Sequence, residues 1–154
     1  MPISTLDPVA VLGLLAHRYP LLLVDRIDVL EPGRRVVGVK RVTSGEWAAG
    51  GAALGGWPVP VPGMPGTLVV EALAQTSAAL LMGLVEGASE MLGYFAGMQR
   101  VRLRAPALPG DTLRLVVELR SFRRSIAKLY GIADVDGRTV ASAGFTVIVR
   151  ARAA

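Results

Sequence analysis

Glu71 is the residue in this sequence that most needs a chemical explanation. It lies in the stretch Pro65 to Glu86, PGTLVVEALAQTSAALLMGLVE, where nearly every side chain from Leu68 to Val85 is apolar or small. No solvent-facing stripe can be drawn through that run, so as a helix it belongs in a core or a membrane. A carboxylate there is costly unless it is paired, solvated by a cleft, or protonated. A carboxyl kept in a cleft is equipped for general acid or base work. Gln75 stands four residues further on and projects from the same helix face. It either lines the same cleft or bonds loop backbone. As a bare first-turn carboxylate Glu71 would still gain from the helix dipole. It does not complete a capping box, however, because with Thr67 as N-cap the third position is Val70.

Other reactive groups are few. The chain has no cysteine and one histidine, His17. That excludes disulfides, Cys-ligated metal and a His cluster within one chain, so neither metal nor cofactor is expected. His17 falls in His17-Arg18-Tyr19-Pro20, which breaks a preceding helix, and it reads as a turn histidine bonded to backbone. The formal net charge is +5. The arginines gather in strand-like segments, Arg100-Val101-Arg102-Leu103-Arg104 and Arg120 to Arg124. Strand alternation would set Arg100, Arg102 and Arg104 on one face. Phe122 is the one aromatic residue among them, which argues against a stacking platform for nucleic acid.

These groups must be held by elements that the pattern supplies. Asp7 to Ala16 reads as a short helix with Asp7 as N-cap and Pro8 in the first turn. Leu21 to Glu31 and Arg35 to Thr43 read as a hairpin around Glu31-Pro32-Gly33-Arg34. Ser44 to Gly66, rich in Gly and Pro, reads as a long loop leading into the apolar helix. Strands follow over Met91 to Arg104, Thr112 to Phe122, Ser125 to Val135 and Thr139 to Arg150. Gly93 and Gly97 mark possible bulges or close approaches, and Asp136-Gly137 marks the last hairpin. Short links imply antiparallel pairing. The 154 residues, 52% of them hydrophobic, fit one α+β domain over 1–154. Its curved antiparallel sheet wraps one long helix, and a second subunit covers what is left. Glu71, Gln75 and the absence of a basic flank argue against a membrane span. Met1 to Ser4 carry no positive leader region, so a cytoplasmic location is expected.

Three separated stretches resemble one family. Ala16-His17-Arg18-Tyr19-Pro20-Leu21-Leu22-Leu23-Val24-Asp25-Arg26 resembles the opening of the bacterial 3-hydroxyacyl-acyl-carrier-protein dehydratases. Met64-Pro65-Gly66-Thr67-Leu68-Val69-Val70-Glu71-Ala72-Leu73-Ala74-Gln75 resembles the start of their central helix. Arg102 to Asp111 resembles their strand and Pro-Gly-Asp turn, and Val135-Asp136-Gly137 their last hairpin. The resemblance implies the hotdog fold, usually dimeric, with a catalytic Glu and a His meeting across the dimer interface. Glu71 matches that Glu. The His position falls on Trp57 counting back from Met64, or near Ala52 counting forward from Glu46, and neither is histidine.

Dehydration of a 3-hydroxyacyl thioester needs a base at C2, an acid for the departing hydroxyl, and donors for the carbonyl. The resemblance implies Glu71 as the acid and the Gly66 and Thr67 amides as donors. Gln75 and Trp57 are expected to touch substrate. Trp57 either plugs the place of the reactive carbons or anchors the loop. Indole cannot replace the missing base, since it only donates. A homodimer is therefore expected to be a weak or inactive dehydratase. The favoured expectation is a non- or half-catalytic subunit of fatty-acid, polyene or polyketide synthesis, working with a His-bearing partner. The alternatives are a hotdog thioesterase using Glu71 or a module that binds acyl thioesters without chemistry. An acidic acyl carrier protein would meet Arg100, Arg102, Arg104, Arg123 and Arg124. The acyl chain would run beside the helix along Leu68, Ala72, Ala78 and Met82.

Overall fold

The computed structural model describes residues 4–44, 63–82 and 91–151. Seven strands form one antiparallel sheet: β1 (Ser4–Leu6), β2 (Arg26–Glu31), β3 (Arg35–Arg41), β4 (Met91–Leu103), β5 (Thr112–Arg123), β6 (Ile126–Val135) and β7 (Arg138–Ala151). Their lateral order is β1-β2-β3-β5-β6-β7-β4. Two helices accompany them, α1 (Pro8–Leu14) and α2 (Gly66–Met82).

The turns follow from residues that tolerate left-handed backbone. Gly33 has φ 74° between β2 and β3, where the Arg34 N–H donates to Glu31 O at 3.0 Å. Asp136 and Gly137, at φ 50° and 82°, join β6 to β7. Two consecutive positive φ values are what a two-residue turn needs to match strand twist. Arg124 and Ser125, at 49° and 63°, do the same between β5 and β6 without a glycine.

Along β5, Leu113, Leu115 and Val117 are buried and their neighbours are more open, the alternation of a sheet with one covered face. The covering element is α2, which packs on β5, β3, β6 and β7. Val69, Ala72, Leu73 and Leu80 are buried against the sheet. Thr76 and Ser77, also buried, turn their hydroxyls back onto Ala72 O at 2.8 Å and Ala74 O at 2.6 Å. Their polar atoms are thereby satisfied without leaving the core.

Several sequence expectations shift. Thr67 is not the N-cap: α2 begins at Gly66, and the Leu68 and Val69 N–H groups already donate to Pro65 O. The expected strand from Leu21 begins only at Arg26, because Leu21 to Leu23 is irregular and its backbone bonds to the Gln75 side chain. β1 was not foreseen, being three residues with little pattern. Asp7 does cap α1, accepting from the Ala10 N–H at 2.8 Å. Register shifts fall at Phe95/Gly97 and Gln99/Arg102 on β4. Arg100 sits at the second shift with φ 54°, so simple alternation does not place Arg100, Arg102 and Arg104 on one face. Trp57, Ala52 and the expected helix beyond Met82 lie outside the described residues.

Candidate active site

Glu71 leaves α2 one turn past its start and opens onto a cavity of about 330 Å³. About a third of its side chain, 35%, is exposed. The cavity follows one stripe of the helix, through Ala74, Ala78 and Met82, and is closed by Phe95 of β4 and Val147 and Val149 of β7. The end of α1 and His17 form its wall beside Glu71. The walls are apolar apart from Glu71, His17, Gln75 and Ser77.

Gln75 is buried and fully used. Its Oε1 accepts from the Leu23 N–H at 2.9 Å, and its Nε2 donates to Leu21 O at 2.7 Å and to Glu71 Oε1 at 2.8 Å. Both readings offered by the sequence are therefore met by one side chain: Gln75 bonds loop backbone and lines the cleft. These bonds explain why Leu21 to Leu23 does not join the sheet at once. Glu71 Oε2 has no partner among the described residues. One oxygen of the carboxyl is tethered, and the side chain lines the cavity.

His17 departs from the sequence expectation. No backbone partner holds its ring; its Nε2 lies 3.5 Å from Glu71 Oε1, and its Nδ1 is buried without a partner. The signal was hard to see, since no local pattern links residues 17 and 71. They meet because Gln75 ties the segment just after His17 to α2.

A family model described as a FabA-like domain matches residues 15–144. The chain belongs to the FabA-like family. Two relatives show how close the FabA-like likeness is. The 3-hydroxyacyl-[acyl-carrier-protein] dehydratase FabZ of Roseiflexus sp. (strain RS-1) is 48% identical over 130 residues, 84% of this chain and 87% of that protein. The FabZ of Syntrophotalea carbinolica is 42% identical over 148 residues, 96% of this chain and 97% of that one. Among solved structures, the dehydratase heterocomplex ApeI:P from Xenorhabdus doucetiae superposes with a TM-score of 0.68 at 18% identity, covering 90% of this chain and 89% of that one. A thioesterase superfamily member from Thermus thermophilus gives 0.67 at 16% identity, covering 80% and 85%. At these identities the structures establish the fold alone: an α+β hotdog.

The remaining candidates are distributed unevenly over this FabA-like frame. The Gly66 and Thr67 N–H groups stand at the free end of α2, with no intrahelical acceptor. Gly66 lies so close to β4 that a Cβ would stand 2.8 Å from Leu103 Cδ1. Leu68 and Ala72 do not line the cavity, whereas Ala78 and Met82 do. Ala72 fails because it faces the sheet and is fully buried. The five arginines fall into two groups. Arg123 aligns across the sheet with Ile126, Ile148 and Tyr94, but Arg102 aligns with Ser142 and Ile132. Ile126 and Ile132 are six residues apart on β6, about 20 Å. Arg100, Arg102 and Arg104 thus share the α2 N-terminal end with Gly66. Arg123 and Arg124 lie at the opposite end, beside the strand positions that close the cavity. No described carboxylate pairs with any of the five. No helix among the described residues is long and apolar enough to cross a membrane.

Proposed function

We propose that this chain is the acid-bearing subunit of a dehydratase. Its substrates are 3-hydroxyacyl thioesters on an acyl carrier protein, in fatty-acid, polyene or polyketide synthesis. Glu71 carries this reading: a carboxyl tethered through one oxygen, lining an apolar cavity, in a chain 48% identical to a FabZ dehydratase. Protonated Glu71 gives its proton to the C3 hydroxyl, which leaves as water, while a base takes the C2 proton and the C2–C3 double bond forms. The Gly66 and Thr67 amides polarise the thioester carbonyl. The acyl tail runs from Glu71 towards Met82. Eleven residues at 1.5 Å each give a path of about 16 Å.

The base comes from a second subunit carrying the histidine that this sequence lacks at Trp57 or near Ala52. Two observations support pairing. β4 is a 13-residue edge strand with Tyr94, Phe95 and Met98 exposed, and a solved structural neighbour is itself a dehydratase heterocomplex. An acidic carrier docks at Arg100, Arg102 and Arg104, the end where the carbonyl donors lie. Arg123 and Arg124 sit too far along the sheet to share that contact.

The test is dehydration of 3-hydroxyacyl carrier-protein thioesters by this chain alone and co-expressed with a His-bearing homologue. Activity only in the mixture, lost in Glu71→Gln, is the expected result. Activity from the chain alone removes the partner from the reading. Silence in both, with thiol release from acyl-CoA that depends on Glu71, replaces it with a thioesterase in which Oε2 activates water. Silence in every assay, with acyl thioesters raising thermal stability, leaves a binding module.

A further inference from the structure

The single imidazole of the chain touches the carboxyl on which the proposed chemistry depends. His17 Nε2 and Gln75 Nε2 both face Glu71 Oε1, at 3.5 Å and 2.8 Å. A neutral imidazole carries its proton on one nitrogen and a lone pair on the other. On the described residues Nδ1 has no acceptor and no solvent, so an N–H there would be a buried donor with nothing to receive it. Nε2 does have an acceptor. With nothing facing Nδ1 and Oε1 at 3.5 Å from Nε2, the Nε2–H tautomer is the one that leaves no buried donor unmet.

We propose that His17 is a positioning residue for Glu71. With Gln75 it occupies Oε1, which leaves Oε2 as the oxygen that bears the transferable proton. A free carboxyl distributes its proton between two oxygens and rotates about its last bond. Here two N–H donors from different parts of the chain select one oxygen and one orientation. The 3.5 Å separation is longer than a good hydrogen bond. Such contacts in an empty site tighten when substrate fills it. The same geometry argues against His17 as the C2 base: Nδ1 is enclosed by protein and Nε2 is turned to Glu71, so neither nitrogen is free to take a proton from substrate.

The inference rests on Glu71 acting as the acid, and its test has one arm that does not need activity. Because His17 is the only histidine, ¹⁵N-histidine labelling reports one ring. The expected spectrum at neutral pH is the Nε2–H tautomer, with the Nε2 resonance displaced in Glu71→Gln. An Nδ1–H tautomer, or a ring indifferent to Glu71→Gln, overturns the proposal. In the second arm, His17→Phe and His17→Gln are assayed in the co-expressed dehydratase. His17→Phe should lower kcat about 10- to 100-fold with KM little changed, the cost of a misaimed group. His17→Gln, which keeps a donor, should recover most of it. Equal activity in His17→Phe and wild type overturns the positioning role, and so does loss as deep as that of Glu71→Gln. A complex with no dehydratase activity in any form counts against the dehydratase reading, while the labelling arm still decides whether His17 holds Glu71.

Discussion

Gly38 and Thr76 meet where β3 passes under α2, and a Cβ on Gly38 would stand 2.7 Å from Thr76 Oγ1. Thr76 cannot easily give way, because it is buried and its hydroxyl is bonded to Ala72 O. Gly38→Ala is therefore expected to destabilise the fold by about 1–3 kcal/mol through overpacking. Thr76→Ala in the same chain should return part of that loss, since contacting sites are not additive. Urea unfolding of the two single variants and the double variant measures the coupling.

Gln75→Leu removes three bonds at once. The Leu23 N–H, which donated to its Oε1, loses its acceptor, and Leu21 O and Glu71 Oε1 lose a donor. Leaving the buried Leu23 N–H unsatisfied costs about 1–3 kcal/mol. The expected signature is a lower denaturation midpoint together with faster amide exchange at Leu23. Full protection at Leu23 in the variant would show that the segment is held by something else.

Ala78 lies on the helix stripe that faces the cavity and is only partly buried. Ala78→Phe should fill the space beyond Glu71 while leaving the carboxyl in place. In the co-expressed complex, turnover of long acyl thioesters is expected to fall at least tenfold while the shortest ones keep theirs. A uniform loss across chain lengths would place the tail elsewhere. Overpacking by an added ring costs about 1–3 kcal/mol, roughly a tenfold loss or more.

Glu31 gives a pH dependence. Its carboxyl is held below its ordinary value of 4.5, chiefly by the Arg35 hydrogen bond at 2.8 Å, with Arg34 adding and burial opposing. A carboxyl whose folded value is depressed stabilises the fold above its unfolded value, and that contribution is lost as pH falls through the folded value. Wild type should therefore exceed Glu31→Gln in thermal stability at neutral pH. The gap should close as the solution is acidified below about 4.5. A gap that persists in acid would rule out this ion pair as its source.

How much was legible in the sequence depended on range. Short-range chemistry read well. Asp7 as a cap, Asp136-Gly137 as a hairpin and the apolar stretch from Leu68 as the central helix each rest on residues within a few positions of one another. The helix start read less well, because Pro65 O takes the first N–H donors and moves the boundary ahead of Thr67. What failed was long-range. β1 carries too few residues to show a period, and β4's shift at Arg100 depends on pairing with β7 rather than on composition. Glu71 and Gln75 were readable as a pair through their spacing. His17 beside them was not, because the tie runs through backbone atoms of Leu21 and Leu23, which any residue would supply.

β4 has a consequence for how the chain behaves before it finds company. Among the described residues its outer edge pairs with no further strand, and Tyr94, Phe95 and Met98 there are each about half exposed. Such an edge accepts any strand that presents itself. The two register shifts on β4 break its regularity and so blunt the hazard without removing it. Apparent stability should then follow mass action: a dilute solution melts earlier than a concentrated one, and a matched subunit made in the same cell spares the chain from precipitation.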